Sequence, residues 1–124
     1  QNRKNPATNE NKKAIGTYKM SMAKPNSNLV QNLVEILEIL LHKNIKVYLV
    51  LSPYHPSVWD CKNVAVCTWL NQTERQVCDI SSRLKIKVIG SYQSAKYNLT
   101  WRDFVDSHHV TEAAIQKQWK KGCL

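Results

Sequence analysis

The sequence predicts an α/β fold built around a parallel sheet, and two observations lead to this prediction. Segments with a helical period alternate with short apolar runs in the order helix, strand, helix, strand, helix. The two apolar runs, 45–53 and 85–92, are rich in β-branched residues and lack the polar alternation of a half-solvated strand. Such runs are typical of strands that are covered on both faces, as in a parallel sheet.

The first helix is predicted between Asn26 and Asn44, where leucine and valine recur at steps of three and four residues. We expect Ser27 or Asn28 to cap its start and Asn44 to take the left-handed conformation that ends many helices. Residues 1–26 are rich in Asn and Lys without an apolar period, which predicts an irregular, basic leader. The folded domain is therefore expected over 27–124.

Two further helices are predicted, over about 64–84 and about 111–121. The apolar positions of the first are Val66, Leu70, Val77, Ile80 and Leu84. In the second we expect Thr111 to cap the start, and Ala114, Ile115 and Trp119 to face inward. Between the second strand and this helix runs a long polar loop, 93–110, for which Trp101 and Phe104 are the predicted anchors in the core.

The number of strands is small for this fold class. Sheets in soluble proteins average about five to six strands, whereas this sequence predicts two. We therefore expect the sheet to be completed from outside these residues, either by a missing N-terminal half or by a second chain.

The distribution of charge along the chain indicates which class of partner the protein could bind. The net charge is +9, but residues 1–25 contain six Lys or Arg and one Glu, so +5 of it lies in the leader. No aromatic residues are interleaved with basic ones, and no zinc-finger or RNA-binding motif is present, so nucleic-acid binding is disfavoured. No apolar run reaches the roughly 18 to 20 residues that a membrane span needs.

The cysteine pattern predicts neither a metal site nor a cofactor. Cys61, Cys67, Cys78 and Cys123 do not show the tight spacing of a zinc site. Cys78 falls on an apolar helical face and is expected to be a small buried hydrophobic residue. Cys61 and Cys67 could form a disulfide if the protein is exported. The sequence leaves the compartment open, and favours an extracytoplasmic or secreted location over the cytoplasm.

The loops that leave the two predicted strands contain the residues suited to chemistry. In open α/β sheets, ligands bind at the carboxyl ends of the strands, and both loops begin there. The first carries Tyr54 and His55 between two prolines, and the second begins with Ser91 and Tyr92. We consider these four residues as candidates to line a pocket, with a plain turn as the alternative for His55.

Asp106 and His109 lie three residues apart, just ahead of the last helix. At such a turn the carboxylate can accept a hydrogen bond from one imidazole nitrogen and leave the other nitrogen as a general base. The alternative is structural: Asp106 caps the turn and His109 packs near the helix start. The neighbouring His108 is expected to face away into solvent.

The run from Gly90 to Ala114, GSYQSAKYNLTWRDFVDSHHVTEAA, resembles the C-terminal block of SGNH-type (GDSL-type) hydrolases. The matching positions are Gly90, Ser91, Tyr92, Asp103, Phe104, Asp106 and His109. The strand and the proline-histidine-proline loop around His55 are also similar. The resemblance implies a three-layer α/β/α fold in which Asp106 and His109 belong to a Ser-His-Asp triad. Members carry glycine after the aspartate, where this sequence has Ser107.

The family resemblance also implies a nucleophilic serine in a Gly-Asp-Ser block, which this sequence lacks together with the family's oxyanion blocks. We therefore expect the C-terminal half of an SGNH-like hydrolase, an esterase or an O-acyl deacylase or acyltransferase acting on an ester or O-acylated substrate. Ser91 is the weaker candidate for the nucleophile. The alternatives are a non-catalytic interaction module with the same fold and a basic nucleic-acid-binding protein.

Overall fold

The computed structural model describes residues 25–60, 64–106 and 109–123. Most of the basic leader, together with Cys61, Ser107 and His108, thus lies outside the described residues. The described part is a mixed helix and strand structure. In chain order its helices and strands are α1 (Ser27–His42), β1 (Tyr48–Leu51), α2 (Val64–Leu84), β2 (Lys87–Gly90) and α3 (Glu112–Gln118). Short 3-10 helices occupy Pro56–Asp60, Ser94–Tyr97 and Trp101–Asp103.

The sheet confirms the predicted parallel pairing on a small scale. In the described residues it has two strands, β1 and β2, with Tyr48 opposite Lys87 and Leu51 opposite Gly90. The pairing continues past the strands, because the Tyr54 amide donates to the Tyr92 carbonyl at 2.9 Å. The two loops that follow the strands therefore leave the same end of the sheet.

The C-terminal tail runs antiparallel along the other edge of β2. The Gly90 amide donates to the Lys120 carbonyl at 2.9 Å, and the Gly122 amide donates to the Val88 carbonyl at 2.9 Å. Glycine is required at position 122, since a Cβ there would collide with the carbonyl oxygen of Gly90. The tail thus protects this edge of the sheet, while β1 pairs only with β2 in the described part of the chain.

The main core lies between α1, α2 and the sheet. Its buried members are Val34, Leu37, Ile80 and Ile86, and Leu49 of β1 packs against them. The expectation that both faces of β1 are covered is wrong. Tyr48 is 43% exposed and Val50 is 50% exposed, because α1 and α2 cover only the alternate side chains of this strand.

The ends of α1 and α2 agree with the sequence predictions except for the capping residue of α1. Asn26, not Ser27 or Asn28, caps α1, because its side-chain oxygen accepts hydrogen bonds from the amides of Asn28 and Leu29 at 2.9 and 3.2 Å. Asn44 takes the predicted left-handed conformation with a φ of 58°. The predicted bounds of α2 are confirmed.

No described helix is long and apolar enough to cross a bilayer.

The last helix is shorter than predicted. Thr111 caps it as expected, since its hydroxyl accepts from the Ala114 amide at 3.3 Å, and Ala114 is fully buried. The helix ends at Gln118 because the following residues turn to pair with β2. The prediction that Ile115 and Trp119 face inward is wrong, because these side chains are 42% and 58% exposed.

The prediction for Cys78 is also wrong, because Cys78 forms a disulfide with Cys123 that closes a separation of 45 residues. Helical spacing alone could not reveal this partner, which lies beyond β2 and the long loop. The Sγ atom of Cys67 lies 3.2 Å from the Val58 carbonyl oxygen. The suggested pairing of Cys67 with Cys61 involves a residue outside the described part of the chain.

We expect the Cys78–Cys123 disulfide to contribute about 4 kcal/mol to the free energy of unfolding, from the loop entropy of a 45-residue separation. The double substitution Cys78→Ser, Cys123→Ser should lower the stability by that order in urea denaturation under non-reducing conditions. Peptide mapping after alkylation provides the control. Alkylation of both thiols in the denatured, unreduced wild-type protein would contradict the disulfide.

Candidate active site

Residues 103–106 and 109–111, which we term the Asp106–His109 loop, pair with each other along their backbones. The Val105 amide donates to the His109 carbonyl at 2.7 Å, and the Thr111 amide donates to the Asp103 carbonyl at 2.8 Å. Phe104 and Val110 form an antiparallel bridge between these two hydrogen bonds. Backbone pairing therefore brings Asp106 and His109 close together.

Asp106 and His109 are in direct contact. Nδ1 of His109 lies 2.7 Å from Oδ2 and 2.9 Å from Oδ1 of Asp106. The His109 amide also donates to Oδ1 of Asp106 at 2.8 Å. The carboxylate therefore caps the turn, as the structural alternative expected, and also contacts the imidazole, whereas the His109 side chain is mostly exposed and not packed in the way that alternative expected. The pair is open to solvent, with the His109 side chain 73% exposed and that of Asp106 50% exposed.

Phe104 anchors this loop to the sheet. Its side chain is fully buried and packs with Leu99 and Ala114. Its ring also meets the His55 ring edge-on, with the ring centroids 5.0 Å apart. His55 lies four residues beyond the end of β1. The predicted anchoring role of Phe104 is thus confirmed, and the contact ties the Asp106–His109 loop to the carboxyl end of β1.

Asp103 stabilises the same loop from its N-terminal side. Its Oδ2 accepts from the Thr100 amide at 2.8 Å in a capping box, and its Oδ1 pairs with the Lys117 Nζ of α3 at 2.8 Å. Burial acts to raise the pKa of Asp103, but the hydrogen bonds from Lys117 and Thr100 outweigh it and hold that pKa below its usual range. Asp103 thus joins the loop to α3.

His55, a candidate for lining a pocket, lies inside the protein with only 1% of its surface exposed. Its Nδ1 lies 2.8 Å from the Ser57 hydroxyl and accepts from the Ser57 amide at 3.1 Å. Ser57 holds the ring on one side and Phe104 packs against it on the other. In the structure, His55 therefore helps to position the Asp106–His109 loop.

Ser91 is also fully buried, and its hydroxyl donates to Oε1 of Glu74 at 2.6 Å. The same carboxylate accepts from the Tyr92 amide at 3.0 Å and from Lys96 Nζ at 3.1 Å. Tyr92 meets Tyr54 edge-on with ring centroids 5.6 Å apart, and burial raises the pKa of both hydroxyls. The structure therefore joins the buried Ser91 and Glu74 and the half-buried Tyr92 and Tyr54 into one network, which disfavours Ser91 as a nucleophile.

Glu74, the carboxylate that organises this network, was not among the predicted site residues. Glu74 is only 6% exposed, although it is an acidic residue in the middle of α2. The signal was present, since Glu74 follows Leu70 by four residues on the apolar stripe of the helix. An acidic residue on such a stripe indicates a buried partner, which here is the loop that follows β2.

Comparison with known proteins identifies no relative of this chain. A scan against family models, a search of curated proteins and a search of solved structures each found no match. Within the described residues, no group of three or more His, Cys, Asp or Glu side chains is placed to hold a metal ion.

Replacing Asp103 by Ala should lower the free energy of unfolding by about 1.5 to 3 kcal/mol at pH 7, because hydrogen bonds to a charged group are lost. The lowered pKa makes this contribution fully present above the usual carboxyl pKa, and it is lost as the pH falls through the folded-state value. The difference between wild type and variant should therefore shrink below about pH 4.

Chemical denaturation between pH 3 and pH 8 measures this difference. Asp79→Ala, an exposed acidic position on α2, is the matched control and should leave stability within about 0.5 kcal/mol. A difference for Asp103→Ala that stays constant across the pH range would show that its carboxylate is not held in the charged form.

Proposed function

We propose that this chain is the Asp- and His-bearing part of a serine-type ester hydrolase with an SGNH-like, three-layer α/β/α fold. Its substrates would be esters, above all O-acyl groups on a carbohydrate or a similar polar carrier. Asp106 orients the imidazole of His109, and His109 acts as the general base. The nucleophilic serine comes from sequence outside these 124 residues.

The single observation that carries this proposal is the contact between Nδ1 of His109 and the Asp106 carboxylate at 2.7 Å. A carboxylate at this nitrogen favours the tautomer with the proton on Nδ1, so Nε2 becomes the basic atom of the ring. An exposed ion pair contributes at most about 1 kcal/mol to stability. Asp106 also caps the turn through the His109 amide, but its contact with the ring, between side chains 73% and 50% exposed, adds little to stability, which favours a chemical role for the ring contact.

The position of the pair supports the same proposal. Ligands of open α/β sheets bind beyond the carboxyl ends of the strands. Phe104 ties the Asp106–His109 loop to the residues that follow β1, at that end of the sheet. The sequence resemblance to SGNH-type hydrolases in Gly90–Ala114 assigns the same two residues to the triad.

The chemistry then follows the pattern of acyl transfer. Nε2 of His109 accepts the proton of the serine hydroxyl as its oxygen attacks the ester carbonyl. The imidazolium, stabilised by Asp106, returns that proton to the leaving alkoxide, and an acyl-serine remains. Water, deprotonated in turn by His109, releases the carboxylic acid and restores the serine. The oxyanion donors, like the serine, would come from outside the chain.

A second candidate is a non-catalytic interaction module that keeps the fold. It is favoured by the side chains of Tyr48 and Val50, which are 43% and 50% exposed on β1. This strand pairs only with β2 in the described part of the chain, so its outer edge can accept a further strand. Both candidates use this edge, the hydrolase to complete its sheet and the interaction module to bind a partner. They differ in whether His109 acts as a catalytic base.

The test labels the natural polypeptide that contains these residues with a fluorophosphonate probe, followed by peptide mapping. We expect one adduct on a serine outside residues 1–124. His109→Ala should abolish the labelling, and Asp106→Asn should slow ester hydrolysis by about 10³- to 10⁴-fold, because the imidazole loses its orientation.

His42→Ala and Asp79→Asn replace exposed residues of the same types on α1 and α2, and should leave the rate unchanged. An adduct on Ser91 would contradict the assignment of the nucleophile. Full labelling in His109→Ala, or no labelling of the natural polypeptide, would favour the interaction module instead.

A further inference from the structure

Two neighbouring cavities lie where the C-terminal tail meets α2 and the loop after β2. The first, which we term the basic cavity, has a volume of about 340 Å³ and contains Lys96, Tyr97, Lys120, Lys121 and Cys123 in its wall. The second, of about 310 Å³, shares Lys96 and Cys123 with it. Both volumes are at the lower end of the range for small-molecule sites.

The wall of the basic cavity is rich in positive charge. Lys96, Lys120 and Lys121 are among its lining residues, which include no carboxylate. Lys96 is held by the buried Glu74 at 3.1 Å, whereas Lys120 and Lys121 form no ion pair in the described part of the chain. Lys120 and Lys121 therefore leave an excess of positive charge beside the cavity, which favours the binding of an anion.

Tyr97 adds an uncharged donor to the same wall. Burial raises the pKa of its hydroxyl, and the nearby Glu74 carboxylate adds to that effect, so the hydroxyl stays protonated at neutral pH. Ser91 also lines the cavity, but its hydroxyl already donates to Glu74. The donors that Glu74 does not already hold are therefore the ammonium groups of Lys120 and Lys121 and the Tyr97 hydroxyl.

The tail that carries two of the three lysines is fixed on both sides. Backbone hydrogen bonds join Lys120 and Gly122 to β2, and the Cys78–Cys123 disulfide ties the next residue to α2. Tyr97 packs in the cluster formed by Leu99, Phe104 and Ala114. Because its walls are held before any ligand arrives, the cavity incurs a smaller entropic cost on binding.

We propose that the basic cavity binds the phosphate group of a phosphorylated small molecule. Lysine binds phosphate as a point charge, and the two lysines without an ion pair in the described residues, Lys120 and Lys121, suit a dianion better than a single carboxylate. The proposal is independent of the esterase chemistry of Asp106 and His109, since it rests on the tail, Lys96 and the disulfide.

The test titrates ¹⁵N-labelled protein with inorganic phosphate, glucose 6-phosphate and glucose at constant ionic strength. We expect saturable shifts of the amides of Tyr97 and the Lys120–Cys123 tail with both phosphate compounds, and none with glucose. The double substitution Lys120→Gln, Lys121→Gln should weaken binding by at least about tenfold, because each lost charge removes a charge-assisted contact. Stronger binding of glucose 6-phosphate than of inorganic phosphate would identify a phosphorylated ligand over free phosphate.

The matched control is Lys43→Gln, Lys87→Gln, which removes two exposed lysines elsewhere and gives the same net charge. Equal weakening by this control, or shifts that spread over the surface without saturation, would overturn the proposal in favour of general attraction to a basic protein. Saturable binding of glucose, or a higher affinity for inorganic phosphate than for glucose 6-phosphate, would also overturn it.

Substituting both Cys78 and Cys123 by Ser should weaken phosphate binding by about tenfold or more, provided that circular dichroism shows the variant to be folded. Unchanged affinity in that folded variant would overturn the assignment of the site to the disulfide-held tail.

Discussion

The burial of Phe104 is the contact on which the placement of the candidate site depends. Its fully buried side chain packs with Leu99 and Ala114 and meets the His55 ring after β1. Truncating a buried phenylalanine typically costs about 3 to 5 kcal/mol, a large part of the stability of a small domain. A segment of irregular backbone is thereby held at one end of the sheet, although it has little regular structure of its own.

The functional geometry is built outward from that anchor. Backbone pairing on either side of Phe104 closes the loop, and the Asp106 carboxylate then binds both the amide and the ring of His109. The base is thus presented on a supported loop and remains open to solvent. A second anchored segment, the tail after α3, is held by Cys78–Cys123 and brings its lysines to a separate cavity. In both places, a buried or covalent contact positions exposed polar groups.

Local patterns in the sequence predicted much of this arrangement, and long-range contacts account for the rest. The apolar period located α1 and α2, and the three-residue spacing, together with the resemblance to SGNH-type hydrolases, led to the expected contact between Asp106 and His109. The disulfide of Cys78 could not be foreseen, because four cysteines allow several connectivities and spacing does not choose among them. The exposure of Val50 could not be predicted either, because a run of β-branched residues has the same sequence pattern whether the second face of its strand is covered or exposed.

The proposed chemistry requires that Asp106 hold the imidazole of His109 with its proton on Nδ1 and its basic nitrogen at Nε2. A long-range ¹H–¹⁵N spectrum of the histidine rings at pH 8 measures this, with His109→Ala used to assign the signals. We expect a protonated Nδ1 and an unprotonated Nε2 for His109, and the loss of this preference in Asp106→Asn. A proton on Nε2 in the wild-type protein would contradict the proposed chemistry, because that ring could not serve as the base.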